Sequence, residues 1–267
     1  MHIKPKKSLG QNFLVDKNIR RKIVAACNLS ADDLVLEIGP GEGDLTGLLA
    51  EGAGEVYAIE LDRRLIPGLE KKLTPYPNCR VLNRDILKFD IEGFFRERAC
   101  RRKIKVVGNI PYYISSPIIE NLIAYRHCIE DVFMTVQKEF GRRVSAPPGS
   151  KEYGAFSCFV GYYAEARILF EIKRGSFRPV PKVDSCFINL RFRGHPPVRV
   201  RDEAAFFRLV RTAFNQRRKT LRNSLAALAE TERLDGFFEK NGMNRNIRPE
   251  DLSLEDFSRL GNYIGAC

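Results

Sequence analysis

Tryptophan is absent from the 267 residues, and histidine and methionine occur only three times each. Any stacking on a flat ligand must therefore fall to tyrosine or phenylalanine. The histidines, His2, His127 and His195, stand far apart, and the seven cysteines form no Cys-x-x-Cys pair and are odd in number. That pattern argues against a disulfide framework or a thiolate metal site, so no metal is expected. No stretch approaches the apolar length of a membrane span, and the N-terminus MHIKPKKSLGQNFL lacks the apolar core of a secretion signal. The expectation is a cytoplasmic protein with no membrane contact, acting as a monomer.

Acidic residues are also in short supply, 33 against 45 lysines and arginines, for a formal charge of +12. A basic but inert surface and a polyanion-binding surface are equally compatible with that excess; its distribution separates them. The cations fall in blocks: Lys4, Lys6 and Lys7 in the leader, Arg101, Arg102 and Lys103 in mid-chain, and Arg217, Arg218, Lys219 and Arg222 in a stretch, 208–222, without one acidic residue. Such stripes neutralise phosphates, which makes nucleic acid the expected partner and steep salt dependence the expected signature.

What is present centres on LVLEIGPGEGDLT, Leu34 to Thr46. A short apolar run leads to Gly39, Gly41 and Gly43, and apolar residues at helical spacing follow from Leu45. Strand, glycine turn and helix in that order place backbone N–H groups and a helix dipole at the carboxyl edge of a buried strand, where α/β proteins bind nucleotide-like ligands. The turn alone fits a nicotinamide dinucleotide or a nucleoside-type methyl donor equally well. A second strand, from Glu55, ends at Glu60, twenty-one positions after Gly39, where a carboxylate accepts hydrogen bonds from ribose hydroxyls. A third strand, Arg80 to Asn83, closes on Asp85 and Ile86. A fourth, Lys103 to Val107, runs into Asn109-Ile110-Pro111-Tyr112, after which Ser116 as cap and Pro117 at the first position begin a helix.

No histidine or lysine is supplied for hydride chemistry, whereas Asn-Ile-Pro-Tyr suits a different task. Two acceptors, the Asn109 side-chain oxygen and the Ile110 carbonyl ahead of Pro111, hold the protons of a planar exocyclic amine and favour a pyramidal nitrogen, while the Tyr112 ring stacks on the base. Catalysis of that kind is positional and electrostatic and requires no metal. A strand-end turn capped by Asn and stiffened by Pro is the bland alternative. The preceding glycine turn, Glu60 and Asp85 favour the functional one.

The same residues resemble a known family. Glu37-x-Gly39-x-Gly41-x-Gly43 is similar to motif I of class I S-adenosylmethionine-dependent methyltransferases, and Asn109 to Tyr112 to their amino-methylating signature. GQNFL at 10–14, QKE at 137–139, PGSKxYG at 148–154, FxPxPKVDS at 177–185 and KTLRNSL at 219–225 extend the match. Together they resemble the small-subunit ribosomal RNA adenine dimethyltransferases of the KsgA type. The resemblance implies an α/β fold with a mostly parallel seven-stranded sheet in residues 1–198 and a small all-α domain in 199–267 that aids RNA recognition. It implies S-adenosylmethionine as cofactor, contacted by Gln11, Asn12, Leu14, Gly39, Gly41, Glu60, Leu61, Asp85, Ile86 and Asn109. Tyr112 would stack on one face of the target adenine and Phe177 cover the other. The implied substrate is small-subunit rRNA within a pre-ribosomal particle, dimethylated at N6 of two adjacent adenosines. Two rivals remain: the related large-subunit enzymes of macrolide resistance, and an assembly factor acting chiefly by RNA binding. Phe140-Gly141 departs from the small apolar residues that many relatives carry after QKE.

Overall fold

A computed structural model describes residues 5–6, 9–98, 103–216 and 219–265. The elements run β1 (Phe13–Leu14), α1 (Lys17–Cys27), β2 (Leu34–Ile38), α2 (Asp44–Gly52), β3 (Glu55–Glu60), α3 (Ile66–Leu73), β4 (Cys79–Asn83), α4 (Ile91–Glu97), β5 (Ile104–Asn109), α5 (Ser115–Ala124) and β6 (Ile129–Gln137). They continue with α6 (Lys138–Val144), α7 (Ala155–Tyr163), β7 (Ala164–Ile172), β8 (Phe177–Arg178), β9 (Ser185–Phe192), α8 (Glu203–Phe214), α9 (Leu221–Ser224), α10 (Thr231–Lys240) and α11 (Leu254–Ile264).

Seven strands form one sheet in the order β4-β3-β2-β5-β6-β9-β7, and β1 pairs with β8 in a separate two-stranded ribbon. Pairings among β2 to β6 are parallel, and β6–β9 is antiparallel. All five residues of β2 are buried, as the unbroken apolar pattern around Glu37 requires of a central strand covered on both faces. The chain steps outward from β2 to β3 and β4, then returns to the other side of β2 for β5. The strand order reverses between β2 and β5, so a crevice opens at their carboxyl ends.

The glycine turn adopts the backbone its composition allows. Gly41 has φ +59, and a Cβ there would lie 2.8 Å from the Phe13 ring. Glycine alone satisfies both demands. Asp16 caps α1 by accepting from Asn18 N at 2.9 Å and Ile19 N at 3.2 Å. The cap expected at Ser116 is not used: a 3-10 turn over Tyr112–Ile114 runs directly into α5 at Ser115. Pro117 therefore lies within the first turn, where no intrahelical N–H partner is lost. The glycine after QKE has a local cause, because a Cβ on Gly141 would lie 2.2 Å from Cys186 Sγ.

The chain divides into two compact units, 1–141 with 167–192, and 142–166 with 193–267. The division differs from the expected boundary at 198, since 142–166 belongs with the C-terminal helices. The reason is aromatic: Phe159, Tyr162 and Tyr163 of α7 pack on Phe206 and Phe207 of α8, and Tyr163 Oη donates to Glu203 Oε2 at 2.7 Å. Among the described residues no helix is long and apolar enough to cross a membrane.

Candidate functional site

Glu60, Asp85 and Asn109 reach the carboxyl edge of the sheet at or just beyond the ends of β3, β4 and β5, and Gly39 follows β2. Register sets their heights. Ile38 pairs with Ile59 on one side and Gly108 on the other, and Glu60 pairs with Asn83. A cavity of about 820 Å³, open to solvent, lies over this edge; its walls include Gly39, Gly41, Glu60, Asp85, Ile86 and Asn109. Gln11, Asn12, Leu61, Ile110, Pro111 and Tyr112 also line it. The expected donor-binding residues thus share one cavity, except Leu14, which is buried and borders a second, smaller cavity that shares Phe13, Gly39, Gly41 and Asn109 with the first.

Each polar group has a defined local role. Glu60 is 6% exposed; its Oε2 accepts from Gly41 N at 3.3 Å and its Oε1 from Asp62 N at 2.7 Å. Burial raises its pKa, against the pull of those two N–H groups. Carboxylate oxygens accept more than one bond each, so the group remains competent toward a diol. Asp85 Oδ1 caps the following turn, accepting from Leu87 N at 3.0 Å.

Gln11 links the leader to the loop after β3. Its Nε2 donates to Asp62 Oδ2 at 3.1 Å while its Oε1 accepts from Lys6 N at 2.7 Å. Asp62 is also paired with Arg64 at 2.6 Å, and hydrogen bonding from Arg64 lowers its pKa to about 2.

Asn109 Nδ2 donates to the Asn12 carbonyl at 2.7 Å. With the amide nitrogen committed, Oδ1 is left as an acceptor, the polarity that an incoming amine requires. Tyr112 is half-buried, and its hydroxyl lies 2.6 Å from Ser185 Oγ at the start of β9. That buttress was not singled out in the sequence, although Ser185 sits in the FxPxPKVDS stretch. Its neighbour Asp184 is structural: it accepts from Lys173 Nζ and Arg174 N, both at 3.0 Å.

One expected role is not seen in this conformation. Phe177 is fully buried within the core cluster that contains Leu14 and Phe187, and it lines neither cavity. Its pairing with Leu14 in the β1–β8 ribbon turns the ring inward, so it offers no face to a base in this conformation. Arg222 is engaged by Asp235, with Nε at 2.8 Å and a terminal nitrogen at 3.1 Å, so its guanidinium also supports the helical unit. Lys6, Lys103 and Lys219 are exposed. Lys4, Lys7, Arg101, Arg102, Arg217 and Arg218 lie outside the described residues. Sequence reasoning also did not single out the exposed Tyr113 ring on the cavity wall, and Arg20, one of the leader-side cations, is buried beside the smaller cavity.

A glycine turn after the central strand, an acidic end on the next, and a topological switch point define a Rossmann-like methyltransferase of class I. The chain matches the family model described as ribosomal RNA adenine dimethylase over residues 2–265, and it belongs to that family. It is 43% identical over 263 residues to the ribosomal RNA small subunit methyltransferase A of Lachnoclostridium phytofermentans, covering 97% of this chain and 91% of the relative. It is 44% identical over 265 residues to the protein of that name from a Geobacillus species, covering 97% and 91% respectively. Among solved structures, it is similar to the 23S rRNA methyltransferase ErmE (29% identity, TM-score 0.75, covering 95% of this chain and 100% of that one). A dimethyladenosine transferase from Plasmodium falciparum is also similar (27% identity, TM-score 0.77, covering 95% and 98%).

Proposed function

We propose that this protein transfers methyl groups from S-adenosylmethionine to N6 of two adjacent adenosines near the 3′ end of small-subunit rRNA, acting in the cytoplasm as a monomer on a pre-ribosomal particle. The observation that carries the reading is the convergence of Glu60, Asp85 and the acceptor end of Asn109 on one cavity. The residues suit a nucleoside-type donor: Glu60 for ribose hydroxyls, Asp85 and Ile86 for the adenine edge, and the Gly39–Gly41 turn for close approach of the amino-acid end. When bound, the donor supplies an electrophilic methyl group.

The remaining work is done by the chain. Asn109 Oδ1 and the Ile110 carbonyl accept the protons of the target amine and draw its lone pair out of conjugation, and Tyr112, held by Ser185, stacks on the base. Reaching this pocket requires the adenosine to leave its stack. Lys6, Lys103 and Lys219 with their neighbouring cations attract the RNA backbone. The higher identity to small-subunit enzymes than to ErmE favours the small subunit over the large one.

Incubating the protein with methyl-labelled donor and unmethylated small subunits, followed by nucleoside analysis, tests the reading. N6,N6-dimethyladenosine in small-subunit rRNA is the expected product; transfer only to large-subunit RNA overturns the choice of substrate.

A further inference from the structure

Nine tyrosines and eighteen phenylalanines stand in the sequence, and among the described residues only one of these rings is exposed. It is Tyr113, 61% open to solvent, and it stands on the wall of the larger cavity. A single exposed apolar side chain elsewhere on the surface would need no explanation. This one lies where the substrate must enter, in a chain without tryptophan. Two other rings line the cavity, and both are engaged: Phe13 packs over Gly41, and Tyr112 is held by Ser185.

Tyr112 and Tyr113 are consecutive in the 3-10 turn that follows Pro111. With three residues per turn, neighbouring side chains leave such a turn about 120° apart. Tyr112 accordingly reaches β9 at Ser185, whereas Tyr113 turns to the leader, where a Cβ on Gly10 would lie 3.1 Å from two atoms of its ring. Glycine lets the ring rest against the backbone there. The ring is supported from that side, and the rest of its surface remains open.

We infer that Tyr113 stacks on the nucleobase next to the adenosine that enters the cavity, and so sets the register of the RNA strand at the cavity mouth. The inference rests on an RNA adenosine being the substrate and adds a contact outside the reacting base. An adenosine drawn from its stack leaves its neighbour with one face bare. An exposed flat ring beside the opening covers that face and removes apolar area of both partners from water. Every base has a π-face, so this contact fixes position without reading sequence. The identity of the target base is left to the groups inside the cavity.

Tyr113→Phe, Tyr113→Leu and Tyr113→Ala, assayed on unmethylated small subunits and titrated calorimetrically with S-adenosylhomocysteine, test the assignment. Tyr113→Phe keeps the ring and should hold kcat/KM for subunits within about three-fold. Tyr113→Leu keeps apolar bulk against Gly10 without a flat face, and Tyr113→Ala keeps neither. In both, kcat/KM should fall roughly 5- to 150-fold, the range of one base–aromatic stack. S-adenosylhomocysteine affinity should stay within about two-fold in all three, which also reports that the variants fold. Full activity of Tyr113→Leu overturns the stacking role. So does a loss of S-adenosylhomocysteine affinity that matches the loss of activity, because the ring would then be bracing the leader, whose Gln11 and Asn12 line the same cavity. Failure of the unmodified protein to methylate small subunits while it binds S-adenosylhomocysteine overturns the substrate reading, and the inference with it.

Discussion

The hydroxyls of Tyr112 and Ser185 lie 2.6 Å apart, joining the ring of the Asn-Ile-Pro-Tyr turn to the first residue of β9, seventy-three positions later. Ser185 is fully buried and faces no ligand, so its effect on chemistry passes through the orientation of the ring. Ser185→Ala should cost about 1 kcal/mol of stability. It should raise KM for RNA more than it alters S-adenosylhomocysteine affinity. Unchanged RNA kinetics would show that the ring holds its position without the hydroxyl.

Asn109→Ala removes the acceptor whose orientation is set by the Asn12 carbonyl. Loss of a positioned polar group of this kind reduces turnover by roughly 100- to 1000-fold. Single-turnover methyl transfer should fall by that factor while the melting temperature changes little. Near-normal turnover would remove Asn109 from the chemistry.

Gly41→Ala places a Cβ against Phe13 at a positive φ. The backbone strain alone is roughly 1–2 kcal/mol, and displacing Phe13 disturbs the wall common to both cavities. Thermal denaturation should show the loss, and S-adenosylhomocysteine titration should show donor affinity falling further than the change in stability explains.

Glu37 is pushed up to about 7 by burial, opposed by the Thr46 hydroxyl and reinforced by the nearby Glu60 charge. A carboxyl with a folded-state pKa above its unfolded value binds more protons when folded. Stability is therefore undiminished below about pH 4.5 and declines as pH rises from there to about 7. Glu37→Gln should flatten that decline, with a difference of up to about 3 kcal/mol at the upper end. Melting temperatures of both proteins across this range provide the check; parallel curves would mean that the carboxyl does not titrate there.

Replacing Arg217, Arg218 and Lys219 together should weaken RNA binding and reduce the slope of log affinity against log salt by roughly 0.7–0.9 for each phosphate no longer neutralised. Arg222→Ala should behave differently. It leaves Asp235 without this partner, so denaturation should reveal a small loss of stability while the salt slope stays the same.

The pairing of Arg222 with Asp235 marks the boundary of what sequence reveals. Block charge identifies a basic stretch but not which cation is taken by a carboxylate thirteen positions away, because that pairing depends on how α9 and α10 meet. The strand, glycine turn and Glu60 were legible because local rules govern them: an apolar run, a positive φ and a spacing. The position of Asn109 at a strand end was legible, but the contact that orients its amide comes from Asn12, ninety-seven positions earlier. Phe177 shows the converse. Its motif placed it near the site, while pairing with β1 buried it in the core. The membership of 142–166 in the helical unit likewise followed from aromatic packing that no linear boundary signal announces.

The β1–β8 ribbon ties residues made early to residues made late. Val15 N donates to the Ser176 carbonyl at 2.8 Å, and Ser176 Oγ donates to Asp16 Oδ2, 160 positions away, at 3.2 Å. A nascent chain ending before Ser176 already contains the glycine turn, Glu60, Asp85 and Asn109. Its N-terminal strand nevertheless lacks the partner that fixes Phe13 and Leu14. The first residues to leave the ribosome thus wait for some of the later ones before their strand is paired.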